Sequence, residues 1–296
     1  MQDSNIVSQV VKIENSSKKT ATHFALCNGS LLRYLIDLNG GAKRLSENIS
    51  TYSKRLSMLM KFIDVFPFLL LNKMKLGYFV KAELNTEVEA CRLNTKKKQW
   101  NMIVGTYDEK QKVVLQCFNS SEEADFIKIG NVATEKEMNA EISFLQQKKK
   151  YMTFDIPQLL SSVSRVDGAT FNIQITKEFK GVKVEPVLTQ EIVDIYKELS
   201  KDVQGDLMFS HGDFAPWNLK KNENKYILFD WEHCGYRIPG FDLIHYATII
   251  QKVLNGKDLS EAFDDGLKNV HEFLPDFQIE KETFLEEFEK LRTQIS

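Results

Sequence analysis

Three polar residues in the last third of the chain are spaced so that they can act together. Asp213 and Asn218 flank Phe214-Ala215-Pro216-Trp217, and Asp230 ends the short apolar run Tyr226-Ile227-Leu228-Phe229. A carboxylate at Asp213 can accept a hydrogen bond from a hydroxyl and aim it. The amide oxygen of Asn218, on the same tight loop, can reach a metal ion beside the reacting group. Pro216 stiffens the loop by fixing its own φ. A hairpin between Asn218 and Asp230 returns the second carboxylate to the amide. Two protein oxygens completed by phosphate oxygens and water suit Mg2+, which takes few protein ligands. The chemistry served is attack of a positioned hydroxyl on phosphorus.

Partners on the phosphate side must come from upstream. Lys128 stands between Ile127 and Ile129 in a strand-like run, so it points opposite to them, toward solvent or toward a cleft. Glu141 falls in the apolar stripe Met138, Ile142, Leu145 of a helix predicted over about 134–149. Burying it unpaired would be costly. Lys128 is its natural partner, with Glu137, one turn earlier, as the alternative.

These residues need a scaffold. Residues 1 to about 20 read as a loose polar start. The pattern then reads as mostly helical to about residue 92, with breaks at Asn39-Gly40-Gly41 and Pro67. Strands are predicted at 101–107, 112–118 and 124–129, joined by short polar links, as an antiparallel meander. A strand pair is expected around 158–166 and 171–179, then a helix over 188–203. The motif, a short hairpin and further helices follow. The order predicts an α+β, two-lobed fold. Its segments are a mostly helical N-terminal extension (1–92), a β-rich nucleotide-binding lobe (93–180) and a helical catalytic lobe (181–296).

Composition excludes several classes. Of 296 residues 43% are hydrophobic, and the net charge is -2 from 39 basic and 41 acidic residues, so no nucleic-acid partner is expected. The four cysteines form no C-x-x-C pair, which fits a reduced, cytoplasmic setting without a zinc site. The apolar stretch Leu56 to Leu71 is broken by Lys61, Asp64 and Pro67 and is too short to span a membrane. It reads as a buried helix, with weak peripheral membrane contact as the sharper alternative. His233 and Cys234 are neighbours and would point apart in a strand, so packing or loop roles are expected. Glu232 either helps a metal site or braces the loop, and Trp217 either packs or stacks on a ligand.

HGDFAPWN followed by FDWE resembles the motif pair of the aminoglycoside phosphotransferase and choline kinase family, whose fold is protein-kinase-like. The resemblance covers roughly residues 100 to 250. It implies Asp213 as catalytic base or orienting carboxylate, Asn218 and Asp230 as magnesium ligands, and Lys128 on the α and β phosphates. It implies His211 as a brace of the loop and Asp242 as structural. ATP and Mg2+ are the implied cofactors, and a small hydroxyl compound is the implied acceptor: a sugar, an amino alcohol or a glycan terminus. Gly105 and Thr106, near the first strand turn, would lie on the nucleotide. Val104-Gly105-Thr106 followed by Lys112-Val113-Val114-Leu115-Gln116 more narrowly resembles phosphotransferase-like proteins of bacterial surface-polysaccharide clusters.

Two departures from the family pattern stand out. The turn Asp108-Glu109-Lys110-Gln111 has no glycine-rich loop, and the segment between the presumed hinge near Glu178–Lys180 and His211 is short. They support a rival reading. In it the chain is a catalytically weak or inactive kinase-like scaffold that regulates a surface-polysaccharide enzyme through its N-terminal helices.

Overall fold

The computed structural model describes residues 6–48, 68–119, 123–163, 172–178, 181–223 and 225–295. The chain divides into two compact units, Met1–Met138 with Leu159–Glu178, and Asn139–Gln158 with Phe179–Ser296.

The first unit is built on one antiparallel sheet of nine strands. In chain order these are β1 (Val11–Asn15), β2 (His23–Asn28), β3 (Leu31–Asp37), β4 (Gly77–Leu84), β5 (Gln99–Val104), β6 (Lys112–Phe118) and β7 (Asp125–Gly130). After β8 (Phe154–Asp155), which belongs to the other unit, come β9 (Leu159–Val163) and β10 (Asn172–Lys177). The spatial order is β1-β4-β2-β3-β5-β6-β7-β10-β9. The predicted meander is β5-β6-β7, with Met102 opposite Leu115 and Leu115 opposite Ile127.

Residues 1–92 depart from the mostly helical expectation, because β1 to β4 lie there and extend the same sheet. In β2 and β3 the strand period is hidden for a physical reason: both faces are buried. Ala25, Leu35 and Val80 enter one core with Ile6, Val7 and Val10 of helix α1 (Ile6–Val10). Their neighbours Phe24, Ile36 and Phe79 enter a second core with Leu45 of α2 (Gly41–Asn48) and Leu71 of α3 (Phe68–Lys73). A strand buried on both sides reads as a continuous apolar run, which periodicity cannot tell from a buried helix. The expected loose start likewise becomes α1 and β1. Residues 56–67 of the stretch Leu56 to Leu71 lie outside the described residues, and the remainder opens α3.

Two buried amides seat α2 on the sheet. Asn101 Nδ2 donates to Gln116 Oε1 and to Gly41 O, both at 2.9 Å, and Gln116 Nε2 donates to Arg44 O at 3.0 Å. Helix α4 (Thr86–Asn94) follows β4 and adds Val88 to the first core. Helix α5 (Glu135–Gln146) follows β7, and the division between the units falls within it.

The second unit contains α6 (Gln190–Leu199), α7 (Phe241–Leu254), α8 (Leu259–His271) and α9 (Lys281–Ile295). Every residue of α7 from Phe241 to Ile250 is buried. Phe241, Phe263, Phe284 and Phe288 share its core. At the α7–α8 crossing, a Cβ on Gly266 would come within 2.9 Å of Thr248 N, so only glycine allows this approach. Two small sheets complete the unit. One is β11-β14-β15-β8, with β11 (Val182–Lys183), β14 (Leu219–Asn222) and β15 (Lys225–Leu228). The other is β12-β13-β16, with β12 (Val203–Gln204), β13 (Leu207–Ser210) and β16 (Gly235–Arg237). The α+β class is as expected. Among the described residues, no helix is long and apolar enough to cross a membrane.

Candidate active site

The loop from Ser210 to Asn218 joins β13 to β14 and is shaped by one buried carboxylate. Asp242, in the first turn of α7, accepts from Ser210 Oγ at 2.6 Å, His211 N at 2.7 Å and Gly212 N at 3.1 Å. The turn this imposes is closed to side chains. Gly212 has φ +88°, and a Cβ there would meet His233 O at 2.1 Å. A non-glycine residue would thus face both a disfavoured backbone conformation and a backbone oxygen. His211 is fully buried and its Nε2 lies 3.0 Å from Phe229 O. A carbonyl can only accept, so Nε2 carries the proton. His211 thereby ties the loop to the residue before Asp230.

Beyond the turn, Pro216–Asn218 form one 3-10 turn with Pro216 at its start. This brings Asn218 back over Asp213: Asn218 Nδ2 donates to Asp213 O and to Asp213 Oδ2, both at 2.9 Å. With both amide hydrogens directed at Asp213, Asn218 Oδ1 is left as the acceptor, the atom a cation would need. The other oxygen of Asp213, Oδ1, lies 3.8 Å from His245 Nε2.

The hairpin works as predicted. Leu219 pairs with Leu228, and Phe229 N donates to Asn218 O at 3.1 Å, which sets Asp230 one residue beyond Asn218's backbone partner. Asp230 has φ +71°, the left-handed region that costs a non-glycine residue energy and often marks a working site. Trp231 is fully buried, stacks on Phe144 at 4.0 Å and donates its indole N–H to Leu228 O at 2.8 Å. Its backbone N–H donates to Glu141 Oε1 at 3.3 Å. The packing of Trp231 therefore holds the chain on both sides of Asp230.

Glu141, Asp230 and Glu232 each place a carboxylate oxygen within 4.8 Å of the others. Such a set is electrostatically awkward without a cation and chemically suited to a hard divalent one. The donor set of Asn218 Oδ1 and these carboxylates therefore fits the expected metal. Glu232 also lies 3.6 Å from His233 Nε2, so it has a bracing contact besides its place in the cluster. Burial and the nearby Glu141 push the Cys234 thiol up to about 12.

The remaining predicted residues belong to the first unit. Ile127 and Ile129 are in the core, and half-buried Lys128 stands on the opposite face, across from Val114 and Gln174. Gly105 N donates to Lys112 O at 2.9 Å and Gly105 O accepts from Arg33 Nη1 at 3.2 Å, so its backbone groups are engaged within the unit. Thr106 is exposed. Glu137, weighed as a partner for Lys128, lies 3.0 Å from Lys110 instead. Burial is the strongest single influence and would raise its pKa, but the Lys110 hydrogen bond, a backbone hydrogen bond and the charges of Lys110 and Lys112 together hold the carboxylate below its ordinary value. Asn131 Nδ2 donates to Glu109 O at 2.9 Å, so the turn at 108–111 is tied to the approach to α5.

Sequence reasoning missed Ser210, Trp231 and His245. The motif read as HGDFAPWN starts one residue too late for Ser210. His245 hides in the apolar run Phe241 to Ile250, where a lone histidine carries no spacing signal.

Residues 123–249 match the choline/ethanolamine kinase family model. That match bears out the resemblance read from the two motifs. Similar solved structures include an aminoglycoside phosphotransferase, APH(4)-Ia, with ADP and hygromycin B (TM-score 0.43, 9% identity, covering 64% of this chain and 84% of that one). They also include the streptomycin–ATP–APH(2")-IIa ternary complex (TM-score 0.43, 12% identity, 64% and 90%). A third is the amicoumacin kinase hAmiN with AMP-PNP, Ca2+ and amicoumacin (TM-score 0.41, 11% identity, 71% and 84%). Comparison with curated protein sequences finds no match.

Proposed function

We propose that the chain is a small-molecule kinase, moving the γ-phosphate of ATP to a hydroxyl of a sugar, an amino alcohol or a glycan terminus. The observation that carries this reading is the clasp of Asn218 on Asp213, which leaves the amide oxygen of Asn218 as an acceptor, together with the hairpin that ends on Asp230 within the Glu141, Asp230 and Glu232 cluster. Asp213 accepts the hydroxyl's hydrogen bond and orients its oxygen for in-line attack. Asn218 and Asp230 hold Mg2+, with Glu141 and Glu232 nearby to share its charge. When bound, the cation neutralises phosphate oxygens as charge develops on them. Lys128 is assigned to the α and β phosphates, and Gly105 and Thr106 to covering the nucleotide. His211 and Asp242 keep the loop in shape. Positioning and electrostatics supply most of the acceleration in such a site.

The test is phosphate transfer from γ-labelled ATP to a panel of hydroxyl compounds, by the wild type and by Asp213→Asn. Transfer that persists at the wild-type rate in the variant would remove Asp213 from its role.

A second reading draws on the turn at 108–111. It lacks the glycines that would let backbone amides wrap phosphates, and Lys110 and Glu109 are occupied by Glu137 and Asn131. A scaffold protein that holds nucleotide weakly or not at all would tolerate such a turn. Thermal shifts with millimolar ATP and Mg2+ separate the two, since only ligands that bind the folded state raise its melting temperature.

A further inference from the structure

Tyr78 is a common wall of two cavities in the first unit, about 450 Å3 and about 360 Å3 in volume, which also share Asn15. Both volumes fall in the range of small-molecule sites, roughly 300–1,000 Å3. Alternation along β1 puts Asn15 on the face of Ile13, and alternation along β4 puts Tyr78 on the face of Val80 and Ala82. Val80 and Ala82 belong to the core that holds Ile127 and Ile129, and Ile13 packs against it. Val80 is fully buried and Tyr78 is 42% exposed, so at Asn15 and Tyr78 this core face runs out into an open groove. Lys128 stands on the opposite face of the sheet, and neither Gly105 nor Thr106 lines the cavities, so the groove is separate from the residues assigned to the nucleotide. Every residue lining it also precedes the segment 123–249 that matches the family model.

The chemistry of the lining selects a ligand class. None of the described residues lining either cavity is charged, in a chain where 27% of residues are. A charged ligand would lose water there without gaining a counter-charge. What the groove offers instead is the rings of Tyr78 and Tyr107, the amides of Asn15 and Asn72, and the hydroxyls of Ser16 and Ser30. Both tyrosine hydroxyls are engaged: Tyr107 donates to Leu32 O at 2.6 Å, and Tyr78 shares a hydrogen bond with the Cys27 thiol. Each tyrosine therefore presents its ring and not its hydroxyl. We propose that this groove binds a neutral oligosaccharide, with a sugar in each cavity and Tyr78 between them. The apolar C–H face of a sugar ring lies on an aromatic ring, and its hydroxyls both donate and accept, as the asparagine amides do. A proline-rich segment also lies on aromatic rings, but a prolyl unit has no N–H and offers acceptors alone, which leaves the amide oxygens unmatched. The inference goes beyond the kinase reading and does not rest on it.

The test is an NMR titration of the intact, 15N-labelled chain with maltotriose, cellotriose and mannotriose, and with trigalacturonic acid and a decaproline peptide as comparators. At least one neutral trisaccharide is expected to bind with a Kd of roughly 1 mM, since the groove is open and water competes for its hydrogen bonds. Binding should shift the side-chain NH2 resonances of Asn15 and Asn72. Tyr78→Ala should weaken it about 10-fold or more, whereas Tyr78→Phe, which keeps the ring, should stay within about 3-fold of the wild type. Asn15→Ala, at an exposed position, should weaken it about 3- to 10-fold and serves in place of Tyr78→Ala if that variant does not fold. Four results would overturn the proposal: no shift with any of the three neutral trisaccharides, trigalacturonic acid binding as tightly as they do, decaproline shifting Asn15 and Asn72 where no trisaccharide does, or trisaccharide binding that a folded Tyr78→Ala or Asn15→Ala leaves unchanged. The readout needs no turnover, so it stands or fails independently of phosphate transfer.

Discussion

Asp242→Ala tests the construction of the loop most directly. The native carboxylate satisfies three donors in a site where it is 3% exposed: Ser210 Oγ at 2.6 Å, His211 N at 2.7 Å and Gly212 N at 3.1 Å. After truncation the serine hydroxyl can turn elsewhere, and Gly212 N keeps its 3.1 Å contact with Ser210 Oγ. His211 N has no substitute and is left buried. An unsatisfied buried donor costs about 1–3 kcal/mol, and each hydrogen bond to a charged group contributes about 1.5–3 kcal/mol. The terms overlap, so the expected loss is about 3–5 kcal/mol, the range for removing one partner from a buried charged pair. At ~2–4 °C per kcal/mol this lowers the melting temperature by about 6–20 °C. Asp242→Asn should be milder, about 2 kcal/mol. Either orientation of its amide sets an NH2 against one backbone N–H and leaves the other bond intact. Urea unfolding followed by circular dichroism measures both, with exposed Asp276→Ala as the control expected to change stability by less than about 0.5 kcal/mol. A loss below about 1 kcal/mol for Asp242→Ala would refute the view that this carboxylate shapes the loop.

Other expectations follow from separate features. Gly212→Ala should abolish phosphate transfer and destabilise the chain, since the added Cβ would meet His233 O at 2.1 Å; wild-type activity in a transfer assay would contradict the fit. Burial lowers the His23 pKa from 6.5 to about 4, so the unfolded chain binds the extra proton first as pH falls. Stability should drop between about pH 6.5 and 4, by up to roughly 3 kcal/mol, and His23→Gln should flatten that slope in urea titrations. Asp37, 3.9 Å away and raised by burial, titrates in the opposite sense, so the histidine variant isolates the effect. Cys117 is fully buried with its thiol pushed up to about 12, so thiol-reactive probes should label it only on unfolding, after Cys27 and Cys91.

What could be read from residue order alone was uneven, and the unevenness has causes. Asp213, Asn218 and Asp230 were legible because the loop and hairpin are local: a few bonds within one stretch of chain set their geometry. The meander β5-β6-β7 was legible because short polar links separate its strands. The strands β2 and β3 were not, because one face shares a core with α1 and the other with α2 and α3, which erases the alternation. Glu141 was recognised as a carboxylate in an apolar stripe, but its bond from Trp231 N comes from a residue 90 positions away. His245 was invisible for a similar reason: its meaning lies in Phe214 O and Asp213, 31 positions or more upstream. Side chains that act through long-range contacts leave no spacing to detect.

The backbone of Asp230 has a consequence for how this chain can change. At φ +71° an aspartate gives up about 1 kcal/mol or more that a glycine would not. Glycine there would also dissolve the crowding of three carboxylates. Selection for heat resistance alone should therefore favour Asp230→Gly, a more robust protein that has lost a proposed metal ligand. Any improvement scheme for this chain has to screen for turnover alongside endurance, because at this position the two pull apart.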